Sequence, residues 1–326
     1  MNELMCAPVT SPAPASMDLL APDKGSLWAI VLAGGEGMRL RSVTRRLYGD
    51  DRPKQYAALV GARSLLRQTL DRIGALIPAE RTVVVTRASH APYVEAELRG
   101  PDRPHVLAQP CDRGTAAGVL LPAHWIRSRD ADATVVVFPS DHFVLEEAAF
   151  MCHVADIARA VRRRPDKMIL LGARLTEPEA EYGWIVPGDT VGRTARGPLS
   201  RVRRFQEKPS AAEAALLFQD GCLWNMFVFA AHVSALVEAG RACVPLLHDR
   251  LVRLGLFFGT QQEPWALRRA YTLAPTASFS RSVLETGSVP LVVSKVSALT
   301  WCDLGTPMRV ARTLRSLGIP AAWLAS

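Results

Sequence analysis

From residue 28 onward the chain alternates short runs of contiguous apolar residues with longer blocks of helical spacing. Trp28 to Ala33 (WAIVLA), Thr82 to Thr86 (TVVVT), Thr134 to Phe138 (TVVVF) and Met168 to Gly172 (MILLG) are apolar or β-branched at nearly every position. That is how strands buried on both faces of a parallel sheet read. Between them, Leu65, Leu66, Leu70, Ile73 and Leu76 fall on one helical face before Pro78, and helices are also predicted over 94–98, 115–128 and 150–163. Val106-Leu107 reads as a short strand. After Glu181 the pieces shorten to Tyr182–Ile185, strand-like 199–207, helical 211–219 and strand-like 224–230. Helices near 232–240 and 245–256, a strand at 291–296 and a closing helix over 307–317 complete the pattern. The alternation predicts an α/β fold with a mostly parallel sheet flanked by helices.

Residues 1–26 are rich in Pro, Ala and Ser without periodicity, which predicts a disordered tail. The remainder, 27–318, reads as one body with no internal repeat. With 326 residues and 49% apolar composition the chain can bury a large core. No apolar run is long enough to span a bilayer, and the N-terminus has no basic region followed by an apolar core, so a cytoplasmic protein without membrane attachment is expected. The six cysteines are scattered, which predicts reduced thiols rather than a zinc site or disulfide framework. The net charge of +8 comes from short arginine clusters without interleaved aromatics, so nucleic acid is not an expected partner.

Chemistry concentrates where the first strand ends. Gly34, Gly35 and Gly37 remove the Cβ atoms that would keep an anion from the backbone N–H groups. Arg39 follows, and Arg52-Pro53-Lys54-Gln55 brings back a second cation after an Arg-rich loop. A dinucleotide fingerprint fails because Leu40 stands where its third glycine belongs, and a phosphate-binding Walker loop fails because Met38-Arg39 supplies no Lys-Ser or Lys-Thr. A glycine turn that merely joins a strand to a helix is the plain alternative, which the paired cations disfavour. Asp141, in Pro139-Ser140-Asp141-His142, ends a predicted parallel strand, where open α/β sheets place ligands.

The stretch GG-x-G-x-R-L followed by Pro-Lys resembles the signature of the sugar nucleotidyltransferases, also called nucleotide-sugar pyrophosphorylases. Pro-Lys-Gln is similar to the mannose-1-phosphate guanylyltransferase branch, although the segment between Arg39 and Lys54 is about four residues longer than the usual spacing. The resemblance extends in family order to Gly305 and implies a Rossmann-like, GT-A-like fold without a β-helix domain. It implies nucleotide binding by Leu32, Ala33, Gly34, Gly35 and Gly37, and by Gln109, Arg113 and Thr115 of QPCDRGTAA, where Gln109 and Gly114 replace the family's glutamate and asparagine. Phe205-Gln206-Glu207-Lys208-Pro209, Tyr182-Gly183-Trp184-Ile185 and Trp224-Asn225 imply a sugar pocket with Gly183, Glu207 and Asn225. There Met226-Phe227 replaces a small Ser-Gly, and Ser280 replaces an aspartate.

The same resemblance implies Mg²⁺ held by Asp141 and by Asp303 of Trp301-Cys302-Asp303-Leu304-Gly305, with Pro307 in place of the usual tryptophan. Arg39, Lys54 and Lys208 are the implied catalytic cations, and GTP with a sugar 1-phosphate the implied substrates. The expected reaction is attack by mannose 1-phosphate on the α-phosphorus of GTP, giving GDP-mannose and pyrophosphate. Another nucleotide and sugar pair, or a degenerate sugar-nucleotide-binding regulator, are the alternatives; a homo-oligomer stays open. His142 is expected to orient Asp141 rather than serve as a base, because a sugar phosphate is already an anionic nucleophile.

Overall fold

The computed structural model of the chain describes residues 26–100, 103–174, 176–297 and 299–319. The expected disordered tail therefore lies, except for Ser26, outside the described residues. The predicted strands form: β1 (Leu27–Leu32), β2 (Thr82–Arg87), β3 (His105–Gln109), β4 (Thr134–Pro139) and β6 (Met168–Arg174). With β7 (Gly183–Thr194), β8 (Gly197–Glu207), β9 (Leu223–His232) and β10 (Leu291–Val296) they make one nine-stranded sheet ordered β3-β2-β1-β4-β9-β6-β10-β8-β7. β9 is antiparallel to β4 and β6, and β8 is antiparallel to β10 and β7, while β3, β2, β1 and β4 are mutually parallel. A small ribbon pairs β5 (Phe143–Val144) with β11 (Trp301–Cys302) and brings the two aspartate motifs together.

Alternate residues of each central strand serve opposite cores. Trp28, Ile30, Val83, Val85, Val135 and Val137 pack with Leu120 of α4 (Gly114–Arg127), Leu236 of α7 (Val233–Cys243), Leu251 of α8 (Pro245–Gly255) and Tyr271 of α9 (Glu263–Leu273). Leu27, Ala29, Val31, Val84, Val136 and Phe138 face the other way, against Ile73 of α2 (Leu65–Gly74), Val94 of α3 (Ala91–Glu97) and Phe150 of α5 (Glu147–Arg163). Leu217 of α6 (Ala211–Gln219) joins that second core. Two buried faces explain why these strands read as unbroken apolar runs. Among the described residues no helix is long and apolar enough to cross a membrane.

Several elements depart from the sequence reading. The expected Arg-rich loop is the helix α1 (Arg41–Tyr48), closed by Gly49 at φ 75° with its N–H donating to the Arg45 carbonyl, the left-handed cap that glycine adopts at no steric cost. Val43 of α1 packs with Leu304 and with Val310 and Leu314 of α10 (Pro307–Ser316) in a third, smaller core. Helix α9 went unpredicted, because its buried Ala266 and Ala270 are separated by charged and exposed positions. The Tyr182–Ile185 piece is the start of a much longer hairpin, β7–β8.

Candidate functional site

The C-terminal ends of β1, β2, β3 and β4 open into a cavity of about 560 Å³. Its wall carries Leu32, Gly34, Gly35, Arg87, Gln109 and Thr115 from β1 to β3 and the start of α4, Asp141 and His142 after β4, and Glu207, Lys208, Phe227 and Ser280 from the β8 and β9 side. This is where a parallel sheet places its ligands, because strand ends and helix N-termini leave backbone groups unpaired there.

The glycine turn is fastened from below by Gln55, whose buried side-chain amide donates to the carbonyls of Ala33 (2.9 Å) and Gly35 (2.8 Å). The Tyr56 hydroxyl donates to the Ala33 carbonyl as well, at 3.2 Å. Gly37 has φ 62°, and a Cβ there would stand 2.8 Å from the Lys54 backbone nitrogen. The turn thus closes directly onto the Pro-Lys-Gln segment, and only glycine permits that approach. Lys54 extends from this junction: Nζ donates to the Asp303 carbonyl at 2.6 Å and lies 3.2 Å from Asp141 Oδ2. His142 places Nε2 3.8 Å from Asp141 Oδ1 and accepts a hydrogen bond at Nδ1 from Trp301 at 3.3 Å. Burial pushes its pKa down to about 4, so the ring is neutral near pH 7.

Asp303 faces a different set of partners. Its carboxylate accepts from the Tyr182 hydroxyl (2.8 Å), the Gly305 N–H (3.1 Å) and Arg309, whose Nη1 is 3.0 Å from both oxygens. Arg309 also pairs with Glu179 at 2.6 Å and stacks over the Tyr182 ring at 4.5 Å. Burial alone would raise the Asp303 carboxyl, but Lys54, His142 and Arg309 hold it below the usual range. Among the described residues no three His, Cys, Asp or Glu side chains gather into a metal-binding group. The donor set fits a divalent ion on Asp141 supplemented by ligand oxygens, as hard cations at phosphate sites are bound. It does not fit a two-carboxylate site while Arg309 occupies Asp303.

On the β8 side, Gly183 makes room for Glu207: a Cβ on Gly183 would meet Glu207 Oε2 at 2.7 Å. Burial raises the Glu207 carboxyl against the pull of Lys208, and Ser280 hydrogen-bonds its side chain. Ser280 thus meets the carboxylate where a second acid would have repelled it. Lys208, Phe227 and Leu304 are the described non-glycine residues at positive φ (50°, 54° and 48°). All three lie in motifs around this cavity, and such backbone strain persists only where its surroundings impose it. Asn225 is buried and uses its Oδ1 to accept from the Phe227 N–H at 3.1 Å. Phe227 lines the cavity, and its ring packs edge-on to Phe229 and Phe279.

Of the anticipated residues, Ala33, Gly37, Arg39, Lys54, Arg113, Gly183, Asn225 and Asp303 are not in the cavity wall, and Arg39, Arg113 and Thr115, like Lys54, Asp303 and Asn225, are already bonded. Arg39 is half-exposed and paired with Glu181 at 2.7 Å, tying the glycine turn to the β7 side. Arg113 donates to the carbonyls of Tyr271 (2.7 Å) and Thr272 (3.3 Å), so its guanidinium anchors the end of α9 and is not in the cavity wall. The Thr115 hydroxyl accepts from the Phe279 N–H at 2.8 Å. Gly114 is explained by crowding: at φ 77° its Cβ would lie 2.2 Å from the Ala277 carbonyl oxygen, so the expected asparagine has no room. Arg87, Tyr271, Arg309 and the wall residues Thr276 and Ala277 were missed in the sequence, and each reaches the site by long-range packing that no local motif marks.

The sequence pattern of the family described as Nucleotidyl transferase matches residues 28–313. The xanthan biosynthesis protein XanB of Xanthomonas campestris pv. campestris is 30% identical over 283 residues, covering 85% of this chain and 57% of that protein. A protein named mannose-1-phosphate guanylyltransferase from Escherichia coli is 30% identical over 212 residues, covering 63% of this chain and 43% of that one. The crystal structure described as mannose-1-phosphate geranyltransferase from Thermus thermophilus superposes with a TM-score of 0.74 at 31% identity, over 86% of this chain and 76% of that chain. UDP-glucose pyrophosphorylase complexed with UDP-glucose shares the fold alone, with a TM-score of 0.59 at 11% identity over 90% of this chain and 98% of that chain. The chain spans about half the length of the curated relatives it matches.

Proposed function

The chain belongs to the nucleotidyl transferase family, and from that premise we propose that it transfers a guanylyl group from GTP to mannose 1-phosphate. The products are GDP-mannose and pyrophosphate. The observation that carries the reading is one cavity lined together by Gln109, Gly34 and Gly35 of the glycine turn, by Asp141, and by Glu207 and Lys208. A nucleotide and a sugar phosphate held in it together would meet with the α-phosphorus near Asp141 and Lys54.

Catalysis in this proposal is positioning and charge neutralisation. The amides of Gly34, Gly35 and Gly37 cradle the phosphates beside Leu32 and Ala33. Lys54, fixed by the Asp303 carbonyl, opposes negative charge growing at the α-phosphate. Arg39 leaves Glu181 to hold the departing pyrophosphate. Lys208 steers the attacking phosphate while Glu207 and Asn225, beside Gly183, take sugar hydroxyls. Gln109 and Thr115 border the nucleoside, and Arg113 supports them through α9. Asp141 would hold Mg²⁺, which when bound neutralises phosphate charge; Asp303 would join only by releasing Arg309. No general base is needed.

A sugar-nucleotide-binding regulator is the second reading, favoured by the Arg309–Asp303 pairing and by Phe227 in the cavity wall. Measuring pyrophosphate release across an array of nucleoside triphosphates and sugar 1-phosphates tests both. GTP with mannose 1-phosphate should give the highest rate; binding of GDP-mannose without turnover of any pair would leave the regulator instead.

A further inference from the structure

Arg87 is the last residue of β2 and stands in register beside Gln109, the last of β3. Its side chain is 15% exposed and forms part of the cavity wall next to Gly34. Two carboxylates from different loops grip it. Nη1 pairs with Glu36 of the glycine turn, and Nη2 lies 2.6 Å from Asp112 Oδ2. Asp112 is itself fixed, because its Oδ1 accepts the Gly114 N–H at 2.8 Å. An arginine clamped on both sides is pre-ordered, so using its remaining N–H groups on a ligand costs little side-chain entropy.

The neighbouring amide is ordered in the same sense. Gln109 Oε1 accepts from the buried Tyr271 hydroxyl at 3.0 Å. Its Nε2 is thereby turned toward the glycine floor, 3.3 Å from where a Gly34 Cβ would be and 4.0 Å from that of Gly118. This end of the cavity therefore presents donors from both side chains, while the carboxylate oxygens beside them already accept from Arg87, Arg41 and the Gly114 N–H. A base that fits must offer acceptors. Guanine offers two adjacent ones, O6 and N7, the pair that a guanidinium fork reads bidentately; adenine places an amino donor where O6 would be.

The geometry points to Arg87 as a specificity-determining residue that reads the O6/N7 edge of guanine, positioned by Glu36 and Asp112 and assisted by the Gln109 amide. This rests on the proposed use of a guanine nucleotide and names the group that selects it. Sequence inspection could not have found it, since Arg87 ends an ordinary strand and its partners lie 51 and 25 residues away (87 − 36 and 112 − 87).

The test is kcat/KM of the wild-type protein with GTP, ATP and 7-deaza-GTP, which lacks only the N7 acceptor, each with mannose 1-phosphate, repeated on Arg87→Met and Arg87→Lys. The wild type should prefer GTP over ATP and lose about tenfold on 7-deaza-GTP, the scale expected for one bond of a bidentate pair. In Arg87→Met the two guanine nucleotides should be used equally and the preference over ATP should shrink by about tenfold or more. Arg87→Lys keeps the charge without the fork and should not restore it. If the wild type prefers GTP over ATP yet uses 7-deaza-GTP equally well, Arg87 does not read the base and the guanylyl reading stands. If GTP has no advantage over ATP in the wild type, the guanylyl reading falls and this inference with it.

Discussion

Lys54 Nζ lies 3.2 Å from Asp141 Oδ2, joining the segment after the glycine turn to the end of β4. Lys54 is 12% and Asp141 25% exposed at the side chain, so solvent screens the pair only partly. Replacing Lys54 by Ala should lower kcat by about 10² to 10³, the usual loss for one preorganised charge-stabilising contact. Steady-state kinetics beside a urea unfolding curve checks this; wild-type turnover in a folded Lys54→Ala would remove the residue from the catalytic set.

Gln55 bridges two carbonyls of the glycine turn from a buried position. Gln55→Leu removes the side-chain donor to the Gly35 carbonyl, while the Ala33 carbonyl keeps the Tyr56 hydroxyl, so the loss is about that of one hydrogen bond, ~1 kcal/mol. The turn should loosen, raising KM for the nucleotide more than it lowers kcat. A variant with unchanged KM and unchanged denaturant midpoint would show that the turn holds itself.

Gly114→Asn should be strongly destabilising, because the new side chain meets the Ala277 carbonyl oxygen and cannot move past backbone. Overpacking of this kind costs about 1 to 3 kcal/mol or more. Denaturant unfolding of the variant measures it, and a stability equal to wild type would mean that the segment carrying Ala277 yields freely.

His124 of α4 is buried against His248 of α8, with ring centroids 5.2 Å apart, and burial pushes its pKa down to about 3. The unfolded chain, with an ordinary histidine pKa near 6.5, binds the extra proton first as pH falls. Stability from this group is therefore complete above about pH 6.5 and lost progressively between there and pH 3. His124→Leu should flatten the decline in unfolding free energy between pH 7.5 and 5, and a slope identical to wild type would assign that acid sensitivity elsewhere.

What the sequence made legible is what is encoded locally. The β1 run with its glycines, the β4 run ending before Asp141, and the Glu207-Lys208 motif are each a strand meeting a turn, and residues of all three line one cavity. The roles of Arg113 and Asp303 were not legible because they depend on partners brought in by packing: the carbonyls of α9 for one, Arg309 of α10 for the other. Helix α1 was missed although Val43, Leu47 and Gly49 carried its signal, since three arginines and the absence of an N-terminal cap masked a short amphipathic turn.

The most direct measurement of the central proposal is pyrophosphate release from GTP and mannose 1-phosphate with Mg²⁺, run side by side for the wild-type protein and Asp141→Ala. The account predicts stoichiometric pyrophosphate and GDP-mannose from the wild type, no release in excess EDTA, and a rate near background for Asp141→Ala. Release that persists in EDTA, or in Asp141→Ala at the wild-type rate, would contradict it.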